Sequence, residues 1–306
     1  MAEHFRKQHI VPQAYLNRFA KKQDTTYVIG TRLNGTESRP VKLFTSPVAD
    51  VAYKENYYDT TKQADPKYWE HFLGKTVDTL CGRPLENIVS KLTLNISDDF
   101  TLTPDDIHTL AQIVFAQIVR VPDFLNHEMG YAEELVETYM PDLVRQFSLT
   151  TEQRAEIEEW WLTKDALKNV VLSSAFDKDR FDRNCSALEK KIWIIFYNGI
   201  RQHLPFITSD NPVLLYDTKR QPVLLTDLGL ESNRLVIMFP LTPSLLVGIY
   251  PTSMYLGKLN EFDRKRIVLT EKDEKFIMDL TAEQIARSRV HSFLPEPLFS
   301  MVKGAT

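Results

Sequence analysis

Three polar groupings in this chain have the residue types and spacing for chemistry on an anionic group. The first is Thr208-Ser-Asp-Asn211, set inside Phe206-Ile-Thr-Ser-Asp-Asn-Pro-Val213. Its four consecutive hydroxyl, carboxylate and amide side chains interrupt an apolar stretch. Burying such groups costs free energy unless each finds a partner. Either they form a turn before Pro212 by bonding local backbone, or Asp210 orients a histidine or a ligand from a strand end. The residues support both readings equally. The second grouping is His9, flanked by Arg6, Lys7 and Arg18; an imidazole can serve as general acid or base near neutral pH. The simpler reading is a surface histidine on a docked N-terminal arm, with Tyr15 and Phe19 as packing anchors. The third is Gln117 with Arg120, three apart on one edge of a helix, able to present donors to a phosphate or carboxylate. Arg120 complementing the helix C-terminus before Pro122 explains that pair as well.

These groups need elements to hold them. From Lys191 the texture is β, with strands expected at 191–198, 205–208, 212–216, 234–239 and 244–250 between turns rich in Pro, Asp and Gly. Upstream, Tyr68, Phe72, Val77 and Leu80 recur at helical spacing across 67–94, with Pro84 dividing the run. Thr103-Pro-Asp-Asp106 opens a helix whose buried face is Ile107, Leu110, Ala111, Val114 and Ile118. Further helix is expected over 133–147 and 151–176, with Pro122 and Pro141 as punctuation. A tail helix is expected over 272–290, where Thr281 and Gln284 have capping-box spacing. Near the start, Tyr15, Leu16 and Phe19 share one face of a short helix after Pro12. Residues 27–30 and 41–44 read as a hairpin joined through Asn34-Gly35. The expected fold is α+β: a helical first half packed on a mainly antiparallel sheet from the second half, with a C-terminal helix. It is expected as one domain over residues 1–306, helix-rich at 60–185 and sheet-rich at 186–250, completed by the N-terminal arm and the tail.

Composition narrows the function. With 43% hydrophobic and 25% charged residues the chain is globular in type, and a net charge of −4 is no global signature for nucleic acid or anionic lipid. Two cysteines, Cys81 and Cys185, exclude a four-thiolate zinc site and favour a reducing compartment. The most apolar window, 235–250, is broken by Pro240 and Pro243 and is too short to span a bilayer. The N-terminus lacks the apolar core of a signal peptide. The expectation is a cytoplasmic protein with no membrane partner. Phosphate-cradling glycine loops, G-x-S-x-G and H-E-x-x-H are absent from the sequence. Acid-x-Lys triplets at Glu189, Asp217 and Asp273 are matches a chain of 41 acids and 37 bases produces by chance. Asp210 and Asp217 bracket one short strand, and His4 and His9 lack a third ligand nearby, so no metal site is expected.

Taken together, His9-x-Val11-Pro12-Gln13-x-Tyr15-Leu16-x-x-Phe19, Gln117-x-x-Arg120-x-Pro122, Phe206 to Val213 and Phe239-Pro-Leu-Thr-Pro243 resemble the bacterial domain of unknown function 4238 family, from Gln8 to Phe293. The chain departs from that pattern at Gln8, where members often carry a second histidine, and at Asp279, where asparagine is common. The resemblance brings no established activity or cofactor. It implies that the recurring polar residues serve a site: His9, Asp210 and Arg120 as the catalytic group, with Gln13, Tyr15, Gln117, Ser209 and Asn211 around the substrate. The expectation built on it is a metal-independent nuclease or phosphoester-processing effector of bacterial stress or phage defence, acting on nucleic acid or nucleotide. His9 would exchange a proton, Asp210 would orient it, and Arg120 with Gln117 would hold the anion. The contrasting expectation is a non-catalytic binding module that senses a small anion or a protein partner. Geometry separates them: catalysis requires His9, Arg120 and Asp210 to converge on an open cleft.

Overall fold

The computed structural model of the chain describes residues 7–35, 40–94, 101–161 and 163–304, so His4 and Arg6 lie outside the described residues. The N-terminal part is mostly strand: β1 (Lys7–His9), α1 (Gln13–Leu16), β2 (Lys21–Gln23), β3 (Thr26–Leu33), β4 (Lys42–Pro47) and β5 (Tyr53–Glu55). Seven helices follow: α2 (Tyr68–Leu73), α3 (Arg83–Leu94), α4 (Pro104–Arg120), α5 (Pro122–Phe147), α6 (Thr151–Trp161), α7 (Lys164–Ala175) and α8 (Lys178–Glu189). The remainder is β6 (Ile192–Asn198), β7 (Thr208–Ser209), β8 (Leu214–Asp217), α9 (Leu225–Leu228), β9 (Leu235–Thr242), β10 (Leu245–Tyr250), β11 (Arg266–Leu269), α10 (Glu274–Arg287), β12 (His291–Leu294) and α11 (Glu296–Gly304). Among the described residues no helix is long and apolar enough to cross a membrane.

The fold is mixed α/β with several sheets. One sheet has the order β11-β6-β10-β9-β8, antiparallel except for β11 beside β6. Its strands are apolar at nearly every position because both faces are covered. Trp193, Ile195, Ile237, Phe239, Val247 and Ile249 face a cluster that also holds Tyr15, Leu16 and the inner face of α4. Ile194, Phe196, Leu214, Tyr216, Val236 and Met238 face the other way, against Ile277 and Leu280 of α10. Burial of each such side chain contributes about 1.5–3 kcal/mol. The expected helix face of Ile107, Leu110, Ala111, Val114 and Ile118 is buried throughout. Thr103 starts α4 by accepting the Asp106 N–H, while the Asp106 carboxylate accepts the Thr103 N–H.

Three expectations need correction. The sheet does not come from the second half alone. β3, flanked by β2 and β4, pairs with β12, which in turn pairs with the two-residue β7. β3 spans eight residues but is mostly half-exposed, so its pairing with the chain end leaves no strong alternation to read. Pro141 does not end a helix, because α5 runs through it. The carbonyl that loses its amide donor there belongs to Glu137, an exposed residue whose backbone water can reach. Thr281 and Gln284 are not a cap: both lie inside α10, and the box that opens this end of the chain is Thr270 with Asp273.

Candidate functional site

The N-terminal arm is tied down by the residues that the sequence offers as chemistry. Arg120 is 1% exposed at the end of α4. Its Nη1 donates to Asp78 at 2.5 Å and its Nη2 to the His9 carbonyl at 2.6 Å. Tyr58 Oη donates to the Arg120 carbonyl at 3.1 Å. Burial opposes the guanidinium charge, but Asp78 and Tyr58 outweigh it and hold the Arg120 pKa above its ordinary value. One turn back, Gln117 Nε2 donates to the Ile10 carbonyl at 3.0 Å. Both donors expected to bind an anion from outside therefore grip the backbone of the arm, and the anion of Arg120 is the chain's own Asp78. Gln8 is fully buried and bonds Asp59 and the Tyr58 N–H.

His9 itself pairs with Tyr53 across β1 and β5. Gln13 Nε2 donates to its Nδ1 at 3.4 Å, and its Nε2 is buried without a hydrogen-bond partner. Burial lowers its pKa from 6.5 to about 4; Asp78 and the Ala49 carbonyl pull upward, Arg120 and Lys7 downward. The imidazole is thus neutral at pH 7. An unfolded chain takes up the proton near pH 6.5 and the folded chain only near 4. The stability contributed by this group is therefore complete above pH 6.5, falls as pH drops through the window, and is lost below about 4. That difference amounts to about 3 kcal/mol. Burial raises the Asp210 carboxyl, so that group titrates in the opposite sense. The readout is accordingly the difference between the protein and its His9→Gln variant. Urea unfolding at pH 4.5 and 7.5 should show a smaller acid loss in the variant; an equal loss in both would assign the proton uptake to another group.

The four polar residues at 208–211 are all bonded. Thr208 Oγ1 lies 2.8 Å from Tyr15 Oη, which also donates to the Pro240 carbonyl at 2.6 Å. Tyr15 is stacked on Phe239 at 5.2 Å between ring centres, so it links the arm to the polar segment. Ser209 Oγ donates toward Gln284 Oε1 at 2.8 Å and accepts the Asn211 N–H, while Gln284 Nε2 donates to the Pro212 carbonyl. Asp210 is 3% exposed. Its carboxylate accepts the backbone N–H groups of Arg289, Val290 and His291 at 2.8, 2.7 and 3.1 Å, clamping the turn between α10 and β12. No hydrogen bond or ion pair among the described residues joins Asp210 to His9. The arm reaches the polar segment through Tyr15 and Thr208, not through a histidine–aspartate pair.

An open cleft does adjoin this segment, on the side of Asn211. Its volume is about 550 Å³, with a floor of Ile118, Val121, Phe124, Val213, Leu215 and Val223. Its polar groups are Asn211, Asp123, His127, Arg287, Ser288 and Arg289. Arg289 pairs with Asp123 and is half exposed, and the Asn211 amide lies 3.4 Å from both Asp123 and the Arg287 carbonyl. Arg287 donates to Glu283 and to the Leu215 carbonyl, its guanidinium lies 4.6 Å from the centre of the Tyr216 ring, and its Nη2 is buried without a hydrogen-bond partner. Arg287 and Arg289 were not legible as site residues. An Arg-x-Arg pair at a helix end is ordinary, and only the Asp210 clamp brings it beside Asn211. His9, Gln13, Arg120, Tyr15, Gln117, Ser209 and Asp210 do not line this cleft; Asn211 does.

The acids of the lysine triplets are occupied elsewhere. Asp217 accepts from Arg234 and two backbone amides, Glu189 faces His108, and Asp273 caps Thr270. Among the described residues, no three His, Cys, Asp or Glu side chains are grouped to hold a metal ion. Comparison with known proteins gives no matching curated protein and no matching solved structure. A family model does match over residues 7–291, spanning the arm, the polar segment and the Asp210 clamp alike. The chain belongs to the family described as protein of unknown function, DUF4238.

Proposed function

We propose that this chain is a binding protein whose cleft beside Asn211 takes a small anion with an apolar body, a nucleotide being the class that suits both features. The observation that carries this reading is the unpartnered Nη2 of Arg287 in the wall of a cleft that also presents Arg289 and Asn211 over an apolar floor. Two guanidinium groups suit phosphate or carboxylate oxygens, and Phe124 with the aliphatic floor suits a base. We take the described chain as one working unit in the cytoplasm, in keeping with an apolar cluster that runs from Ile10 to Phe293. Binding of a panel of nucleoside mono- and diphosphates by calorimetry tests the reading. Arg289→Ala should weaken the best ligand about 10- to 100-fold, the loss of one charge-assisted contact. Saturable binding that ignores this substitution, or no binding at all, would sink it.

A second reading keeps the phosphoester-processing effector, with His9 as the proton-transfer group and Arg120 and Asp210 in support. One feature favours it: the neutral His9 ring has an unpartnered Nε2. Here Arg120 acts through the His9 carbonyl and Asp210 by holding the neighbouring turn. Incubation with total RNA, single-stranded DNA and nucleotides, with and without divalent metal, should then show turnover that His9→Ala lowers by at least about 100-fold. Equal turnover by the folded variant, or none by either protein, would leave binding as the function.

A further inference from the structure

A second cleft, of about 440 Å³, opens on the opposite face of the β11-β6-β10-β9-β8 sheet, under α10. Its position follows from one strand row. Tyr216 pairs with Val236, and Met238 pairs with both Leu214 and Gly248, so these residues share the face turned toward α10. Gly248 leaves a gap in that row. A Cβ there would come within 2.8 Å of the Phe196 and Tyr250 rings and 3.3 Å of the Tyr250 hydroxyl. The Tyr250 ring lies over the gap, and its phenol joins that of Tyr216 in lining the cleft, with Met238, Phe276 and Leu280 as apolar walls.

Three donors in this cleft have no acceptor in the protein among the described residues and stay open to it, Arg220 being an exposed residue. Neither the Tyr216 nor the Tyr250 hydroxyl makes a hydrogen bond among the described residues, and the Arg220 side chain has no ion-pair partner there. Burial raises both phenols, Tyr216 to about 12; Arg287 and then Arg220 pull Tyr216 down against Glu283 and Asp279, and Arg220 pulls Tyr250 down, so Arg220 stands near both. Asp217 holds the turn that carries it. Asp217 accepts the N–H groups of Lys219 and Gln221 at 2.8 and 2.9 Å, and Arg220 sits between them at φ 62°, a left-handed conformation. The carboxylates that line the cleft are already paired: Asp217 with Arg234, Asp279 with Lys275 and Glu283 with Arg287. Accessible donors beside an apolar floor suit an oxygen acceptor on an apolar body.

We propose that this second cleft binds an apolar ligand carrying an anionic oxygen headgroup, a medium-chain carboxylate in chemical class, with Arg220, Tyr216 and Tyr250 on the headgroup and Met238, Phe276 and Leu280 along the chain. The two clefts share a wall where the Arg287 guanidinium lies 4.6 Å from the centre of the Tyr216 ring, but Arg220 and Ala282 line only this cleft and Asn211 and Arg289 only the other, so the two readings are tested separately. The test is calorimetry of the whole protein with octanoate and with octanol, its neutral counterpart. Octanoate should saturate with Kd below about 1 mM. Arg220→Gln should weaken octanoate about tenfold while changing octanol by less than about twofold. Ala282, exposed on α10 at the rim, can be enlarged without touching the core, and Ala282→Trp should weaken both ligands by filling the opening. No saturable octanoate binding, an unchanged affinity in either variant, or equal losses for octanoate and octanol in Arg220→Gln would overturn the proposal.

Discussion

Asp210→Ala is expected to cost about 3 kcal/mol of stability, seen as a fall of about 6 °C in Tm, because one side chain holds three backbone amides. Its carboxylate is the acceptor for the N–H groups of Arg289, Val290 and His291, and it is nearly inaccessible to water. The full cost of three buried unpaired donors would be higher. Arg289 and Val290 are exposed residues, however, so water can reach their amides once the carboxylate is gone. Asp210→Asn keeps the shape and one good acceptor and should lose about half as much. The same variants should disturb the Asn211 cleft, since the clamped turn carries Arg287 and Arg289 to it. A change below about 0.5 kcal/mol in Asp210→Ala would mean that the β7–β12 pairing alone holds this turn.

The second large effect lies at the other end of the arm. Asp78→Ala leaves the buried Arg120 guanidinium with the His9 carbonyl and Tyr58 as hydrogen-bond partners and Glu70 as a neighbouring carboxylate that makes no contact with it. Stranding a buried charge in this way typically costs about 3–5 kcal/mol. Asp78 is 34% exposed, which lets some water in and favours the lower end of that range. Replacing both partners should be milder than stranding one. Arg120→Met combined with Asp78→Ala is expected to regain at least half of the loss, because methionine fills the space without a charge to neutralise. Chemical denaturation of the three variants measures this. A double variant that is less stable than Asp78→Ala alone would show that the ties of Arg120 to His9 and Tyr58 outweigh the ion pair.

Much of the architecture was legible because local physics wrote it. The Thr103 cap and the spacing from Ile107 to Ile118 specify α4 before any tertiary contact forms. The long apolar runs at Ile192–Asn198 and Leu235–Thr242 announce strands buried on both faces. The second sheet was not legible, since β3 finds β12 more than 250 residues later, β12 has only four residues and β3 is mostly half-exposed. Gln284 shows the same limit on a smaller scale. Its spacing from Thr281 mimics a cap, yet its amide is spent across space on Ser209 and Pro212.

The polar residues divide in the same way. Sequence alone marked Thr208 to Asn211 as groups that must be bonded or used, because four polar side chains amid apolar runs cannot be left unpaired; for His9, Gln117 and Arg120 it left a surface or helix-end role open. What each is bonded to was decided by tertiary structure: Arg120 to Asp78 and the arm, Asp210 to the α10–β12 turn, Thr208 to Tyr15. The clefts themselves, with Arg287, Arg289 and Arg220 in their walls, arise only where distant segments meet. A hydrogen-bond requirement is a property of a residue, whereas its partner is a property of the fold.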